Sequence, residues 1–285
     1  MPELPEVETI RQGLRRLILD QKIQAVAVGW PKIIQRPSVD EFIHELIGEH
    51  FREVRRRGKY LILELDHYEL VSHLRMEGKY LYEAHDAPKN KYVHVTFALD
   101  SGNDLRYQDL RKFGRMSLVK KGEALHLPEL EKLGPEPTPE TFDFDVFYHA
   151  LAHHHQMIKP LLLGQRIVAG IGNIYADEVL WLAKIHPMFP AERLTKAEAE
   201  ALHAAILEVI HDAVEAGGTT IRSYQNALGE AGKFQLELRA YGQTGKPCLR
   251  CGTPIEKIIV AQRGTHLCPH CQKLPRPLQR KGRGR

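Results

Sequence analysis

A chain of 285 residues with 43% hydrophobic and 27% charged side chains is long enough for two packed cores and too apolar to be disordered. No run approaches the roughly 20 apolar residues of a membrane span. The opening MPELPEVETI lacks the basic and apolar stretches of a secretory leader, so a cytoplasmic protein is expected. The formal net charge of +4 hides a segregation: residues 246–285 carry ten Lys and Arg against one acid, Glu256. A basic C-terminal patch on a mildly acidic body points to a polyanionic partner.

Along the chain, Leu4 to Leu19 predicts a helix, because Val7, Ile10, Leu14, Leu17 and Ile18 recur at helical spacing. Pro5 suits its first turn, Glu6 and Glu8 its positive end, and Arg15 and Arg16 its negative end. Short β-rich runs follow at Tyr60–Leu65, Glu69–Leu74, Val93–Leu99 and Met116–Val119, punctuated by turns at Met76-Glu77-Gly78 and Asp100-Ser101-Gly102. Their spacing predicts a sandwich or barrel-like pair of sheets. Leu133 to Thr141, with three prolines, reads as an interdomain linker. The pattern then turns helical. Lys159 to Lys184 holds two short helical patterns broken by Gly170-Ile171-Gly172-Asn173, and Thr195 to Glu198 matches a capping box opening a helix that runs to Gly217-Gly218.

Cys248, Cys251, Cys268 and Cys271 are the only cysteines, spaced C-x2-C-x16-C-x2-C. Two disulfides would not persist in a cytosolic chain, whereas this spacing suits one tetrahedral zinc. Four thiolates leave no open position, so the Zn2+ is expected to be structural. Between the two pairs, Ile258 to His266 reads as a hairpin ribbon with Arg263 beside a glycine at its turn. Such a ribbon can enter a DNA groove, where Arg263 would hold phosphate; a solvated turn arginine is the competing reading.

MPELPEVET, LGPEP, GIGNIYADE and the C-terminal four-cysteine finger together resemble formamidopyrimidine-DNA glycosylase, the bacterial oxidised-purine glycosylase and AP lyase family, from Pro2 to about Gln272. The resemblance implies an α+β multidomain fold: an N-terminal catalytic β-sandwich with a flanking helix (1–133), a linker and helix-two-turns-helix DNA-binding domain (134–240), and a zinc finger (241–273). A basic, disordered tail (274–285) would follow. It also implies a monomer acting on duplex DNA that contains 8-oxoguanine or formamidopyrimidine.

The same resemblance assigns roles. Removal of Met1 would free the secondary amine of Pro2, a nucleophile for C1′ of deoxyribose. Glu3 would act as general acid, Lys59 in β-elimination and Arg263 in δ-elimination. Glu6, His73, Met76, His94, Arg111, Phe113, His154, Lys159 and Asn173 would contact DNA, with Met76, Arg111 and Phe113 filling the gap left by the extruded nucleotide. Read as residues alone, Glu6 has a first-turn acid as its competing reading, and Met76 and Phe113 are more often core side chains. Thr219 to Lys233, with Asn226, Gly229 and Gly232, resembles a loop that closes over the lesion. Two departures stand out: His153-His154-His155 where many relatives carry lysine, and Tyr92 where some carry histidine. The triplet raises the thought of a second metal site. Rival readings are an endonuclease VIII-type enzyme for oxidised pyrimidines and a noncatalytic zinc-finger DNA-binding protein.

Overall fold

The computed structural model describes residues 1–219 and 233–274. Two compact units result, Met1–Lys132 with the described part of Ala216–Lys233, and Leu133–Glu215 with the described residues from Phe234 onward.

The first unit opens with α1 (Leu4–Ile18) and β1 (Ile23–Val28), then β2 (Ile34–Arg36) and α2 (Val39–Leu46). Seven strands follow: β3 (Glu53–Arg57), β4 (Tyr60–Glu64), β5 (Tyr68–His73), β6 (Lys79–Ala84), β7 (Val93–Leu99), β8 (Asn103–Gln108) and β9 (Arg115–Lys120). The short α3 (Pro128–Glu131) closes the unit. The strands form two sheets, ordered β1-β7-β8-β6 and β2-β9-β5-β4-β3. Alternation along each strand turns Leu61, Leu63, Leu70, Met116 and Leu118 of one sheet and Val26, Val95, Phe97, Leu105 and Tyr107 of the other into one shared core. The apolar stripe of α1, Val7 to Ile18, joins the same core. This is the expected β-sandwich with a flanking helix.

One strand hides its pattern. On β8, Asp104 and Arg106 are fully buried; the Arg106 guanidinium donates to Asp104 Oδ2 (3.0 Å), Glu83 Oε2 (2.8 Å) and the carbonyls of Ala84 and His85. Asp104 and Arg106 lie on the face opposite Leu105 and Tyr107, and a charged residue is buried at such a position only when paired and bonded in this way. Strand β8 therefore does not show as an apolar run.

In the second unit come α4 (Phe144–Ala152), α5 (Ile158–Leu163), α6 (Asn173–Leu182) and α7 (Lys196–Glu215), then the ribbon β10 (Glu256–Val260) and β11 (Arg263–Leu267). The expected capping box starts α7: Glu198 N–H donates to Thr195 Oγ1 at 3.3 Å and Thr195 N–H donates to Glu198 Oε2 at 2.9 Å. Between α5 and α6 the chain makes two turns, with positive φ at Gln165 (63°) and Gly170 (86°). The Gln165 side chain ties them, accepting from Gly170 N–H (2.8 Å) and donating to Leu163 and Ile171 carbonyls. The segment read as a linker is seated on these turns: Gly134 N–H donates to Gln165 O (2.8 Å) and Ala169 N–H to Pro135 O (2.9 Å). A Cβ at Gly134 would lie 2.4 Å from the Arg166 carbonyl oxygen, so only glycine allows that approach. LGPEP is thus a packing element of the second unit.

Candidate active site

The site in the first unit is built around the N-terminus of α1. Pro2, Glu3 and Glu6 are all buried there. Glu6 spends its carboxylate on three donors: Glu3 N–H on Oε2 (2.8 Å), and Thr219 N–H (2.7 Å) and hydroxyl (3.0 Å) on Oε1. Next to Thr219, Gly218 sits at φ +77°, and a Cβ there would come within 2.8 Å of Glu6 Oε1. Glu6 therefore anchors the start of the chain to the start of the 219–233 segment. Of the expected closing loop, Asn226, Gly229 and Gly232 lie outside the described residues.

Lys59 arrives from the β3–β4 turn, where Gly58 takes φ 55°. Its side chain is 6% exposed. The turn is bolted to α1 through Glu8. Arg11 and Arg56 both donate to the Glu8 carboxylate (2.7 and 3.1 Å), and Arg56 also donates to the Gly58 carbonyl (3.0 Å). Burial pushes the Glu8 carboxyl up, but the Arg11 hydrogen bonds and charge, with the Arg56 charge, outweigh it and hold it at about 2. Within the EVRRRGK run, Arg56 is part of the joint that fixes the lysine's turn to the helix bearing Pro2.

His73 and His94 are buried rather than presented to solvent. His73 Nδ1 accepts the Arg75 N–H (2.9 Å), so in the neutral ring Nε2 carries the proton. Burial, reinforced by the positive charges of Arg75 and Lys59, pushes its pKa down to about 3. His94 Nε2 bonds the Asp109 carbonyl at 2.8 Å and so supports the following loop.

That loop and the one after β5 bring Met76, Arg111 and Phe113 together. Arg111 donates to Met76 Sδ (2.9 Å), and its guanidinium lies 4.7 Å from the Phe113 ring centroid. Met76 is 42% exposed and Phe113 44% exposed, so neither is a core residue. What holds them out was not read from the sequence. Asp109, fully buried, accepts N–H from Arg111 (3.0 Å), Phe113 (2.8 Å) and Gly114 (2.8 Å). Tyr107 sets the spacing of the two loops. Its hydroxyl would lie 2.1 Å from a Cβ at Gly78 and 1.8 Å from one at Gly114. Lys112, at φ 58°, places its ammonium 4.1 Å from the Trp30 ring centroid.

In the second unit, Lys159 is fully buried and its ammonium is fully engaged. It donates to Asp177 Oδ1 (2.6 Å), Thr265 Oγ1 (2.7 Å) and the Gly264 carbonyl (3.3 Å). In this structure its charge is paired with Asp177 and the side chain braces the ribbon. Asn173, at the start of α6, likewise donates to Gly264 O (3.0 Å). Asp177 Oδ2 receives the His266 N–H (2.8 Å), and the neighbouring Glu178 receives three consecutive N–H groups, from Arg239, Ala240 and Tyr241 (2.9, 2.9 and 2.7 Å). The carboxylates of GIGNIYADE are therefore clasps for the zinc module. Arg263 is exposed on the first residue of β11; the hairpin turn itself is Ala261-Gln262, with φ 45° and 62°, and Gly264 lies inside the strand. His154 is half-buried just past α4, and His155 approaches Glu192 at 3.8 Å. Among the described residues the triplet joins no metal-ligating cluster.

The four cysteine sulfurs lie within 4.8 Å of one another, two of the pairs at 3.5 Å. Sulfurs bound to one tetrahedral zinc stand about 3.8 Å apart, so the donor set fits one structural Zn2+. Trp181, Ala240 and Ile255 pack against Cys248 and Cys268 and give the site a dry wall.

A sandwich with a flanking N-terminal helix, a helix-two-turns-helix unit and a four-thiolate ribbon together define a DNA-repair glycosylase architecture. Residues 1–116 match the formamidopyrimidine-DNA glycosylase N-terminal domain, 133–225 its H2TH domain and 245–274 the zinc finger found in FPG and IleRS. The formamidopyrimidine-DNA glycosylase of Enterococcus faecalis is 55% identical over 274 residues, covering 96% of this chain and 98% of that protein; that of Latilactobacillus sakei is 51% identical over 95% and 98%. The Lactococcus lactis Fpg solved with DNA containing an abasic site is 46% identical, with a TM-score of 0.91 over 95% of this chain and 100% of that one. Wild-type L. lactis Fpg with N7-benzyl-Fapy-dG DNA matches at 46% identity and TM-score 0.91, over 96% and 100%. The chain belongs to the formamidopyrimidine-DNA glycosylase family, whose members are base-excision glycosylases with AP lyase activity. No helix among the described residues is long and apolar enough to cross a membrane.

Proposed function

We propose that this chain, as a cytoplasmic monomer working on the nucleoid, excises 8-oxoguanine and formamidopyrimidines from duplex DNA and then cleaves the strand, with Pro2 as nucleophile. The observation that carries the reading is the burial of Pro2, Glu3 and Lys59 around a braced helix N-terminus, on the unit that also displays the Met76–Arg111–Phe113 cluster.

With Met1 attached, the Pro2 nitrogen is an amide and has no basic lone pair. Cleavage of Met1 leaves a secondary amine whose ordinary pKa, near 8, keeps a useful neutral fraction at physiological pH. The nitrogen forms a bond to C1′ as the bond from C1′ to the damaged base breaks; the electron pair leaves with the base, which takes up the proton that the amine nitrogen gives up. Glu3 supplies a proton to the sugar ring oxygen as the ring opens. The resulting iminium has no N–H to lose, so it remains cationic and acidifies the C2′ proton. Loss of that proton expels the 3′ phosphate, with Lys59 assisting. A second elimination expels the 5′ phosphate, with Arg263 holding the leaving group. Met76 and Phe113 fill the vacated stack and Arg111 bonds the orphaned cytosine.

Borohydride trapping tests this. Wild type, with Met1 removed, should crosslink to an 8-oxoguanine duplex and Pro2→Gly should not. Equal trapping and cutting by Pro2→Gly would overturn the assignment, and preferential trapping on a dihydrouracil duplex would transfer the chain to the oxidised-pyrimidine class.

A further inference from the structure

The outer face of the five-stranded sheet carries a cavity of about 200 Å³ that the mechanism does not use. Its floor is made by two cross-strand rows. Arg36, Ser117 and Val71 align across β2, β9 and β5, and Arg115, His73 and Tyr60 align across β9, β5 and β4. Gln35, Arg75 and Glu129 complete the rim. These positions alternate with the sandwich core residues, so they share the face turned away from it.

The chemistry of the lining is one-sided. Three arginines and one carboxylate, Glu129, line it, and among the described residues Glu129 pairs with Arg36 alone, at a loose 3.7 Å. The neutral groups add donors: the Nε2–H of His73 and the hydroxyls of Tyr60 and Ser117. Burial raises the Tyr60 phenol, so it stays protonated. His73 stays uncharged because burial and the charges of Arg75 and Lys59 oppose its protonation. A half-open cavity with surplus guanidinium charge and several neutral donors is complementary to a tetrahedral oxyanion.

We propose that this cavity is a phosphate-binding pocket, taking a phosphomonoester or phosphodiester through Arg36, Arg75 and Arg115. His73 is shared with the expected DNA contacts, whereas Arg36 and Arg115 belong to this pocket alone. The pocket is also wired to the two exposed loops. Arg115 donates to the carbonyls of Phe113 (3.1 Å) and Gly114 (2.8 Å), and Arg75 immediately precedes Met76. Occupancy therefore bears on the bases of both loops. The phosphate has two sources, the backbone of the bound duplex or a free phosphorylated small molecule.

Calorimetric titration of inorganic pyrophosphate into the zinc-loaded full chain tests the pocket. Arg36→Glu and Arg36→Gln are the variants, and Arg16→Glu, on an exposed site of α1, is the charge-matched control. Wild type and Arg16→Glu should bind one pyrophosphate with a Kd on the order of 0.1–1 mM; Arg36→Gln should weaken it and Arg36→Glu should weaken it about tenfold or more. Absence of saturable binding by wild type, or equal affinity in the wild type and both Arg36 variants, overturns the proposal. Repeating the titration with a non-cleavable abasic-analogue duplex already bound separates the sources. Lost pyrophosphate binding, with weaker duplex binding by Arg36→Glu, assigns the pocket to backbone phosphate. Unchanged pyrophosphate binding assigns it to a free anion.

Discussion

Asp109→Asn isolates what holds the exposed Met76–Arg111–Phe113 cluster in place. The buried carboxylate accepts three backbone N–H groups, two on Oδ2 from Phe113 and Gly114 and one on Oδ1 from Arg111. Asparagine has one acceptor oxygen. Its better orientation keeps that oxygen under Phe113 and Gly114 and turns the amide NH2 toward the Arg111 N–H. One charge-assisted bond is lost and two become neutral, a loss of about 2–4 kcal/mol. The loop tip is exposed, so the loss falls on loop order rather than on the sandwich. Binding must restore that order, and affinity for an abasic-analogue duplex should fall roughly 30- to 1,000-fold, measured by fluorescence anisotropy. In an Arg111→Ala/Phe113→Ala background the same substitution should change affinity by less than about threefold, because the side chains it positions are gone. Near-wild-type binding by Asp109→Asn, or an undiminished effect in the double variant, would refute the reasoning.

Three further outcomes follow from the packing. His73 takes up its proton at about 3 in the folded chain against 6.5 ordinarily; as pH falls through that window the unfolded chain binds a proton the folded one refuses, and stability drops by up to roughly 4–5 kcal/mol. His73→Gln should therefore flatten the urea midpoint between about pH 6 and pH 4, and a slope parallel to wild type would count against it. Gly114→Ala forces a methyl against the buried Tyr107 hydroxyl and should displace the Phe113 loop, weakening abasic-duplex binding at full zinc content; Tyr107→Phe should relieve part of this, and wild-type affinity in Gly114→Ala would show that the loops do not lean on the ring. Asp177→Asn leaves the Lys159 ammonium buried without its counter-charge and should cost about 3–5 kcal/mol in denaturant unfolding; a change below about 1 kcal/mol would mean that the pair contributes little.

What the sequence made legible tracks the kind of force involved. Helix α1 declared itself through an apolar stripe, α7 through Thr195 and Glu198, and the metal site through cysteine spacing. Strands β4, β5, β7 and β9 were readable because their core faces are aliphatic. Strand β8 was not, since its buried Asp104 and Arg106 look like surface residues until their partners are known. The same limit governs the site. Pro2, Glu3 and the cysteines lie in local motifs. Asp109, Tyr107, Glu8 and the Gly78–Gly114 pair act through contacts between distant segments, and nothing in their neighbours marks them. Lys159 belongs with them: nothing in its sequence neighbourhood shows that its ammonium is buried against Asp177.

Asp177 and Glu178 are consecutive on α6, so their side chains leave the helix about 100° apart. One holds the ribbon through His266 and Lys159, the other holds residues 239–241, where the chain enters the finger. The metal module is thus not a detachable accessory. Cutting the chain before residue 239 would strip a buried carboxylate of all three of its amide partners and leave a lysine–aspartate pair facing an empty groove. The helical unit and the finger must therefore be gained, lost or grafted together, and a deletion that spares the helices while removing the finger should yield an unfolded second unit rather than a smaller enzyme.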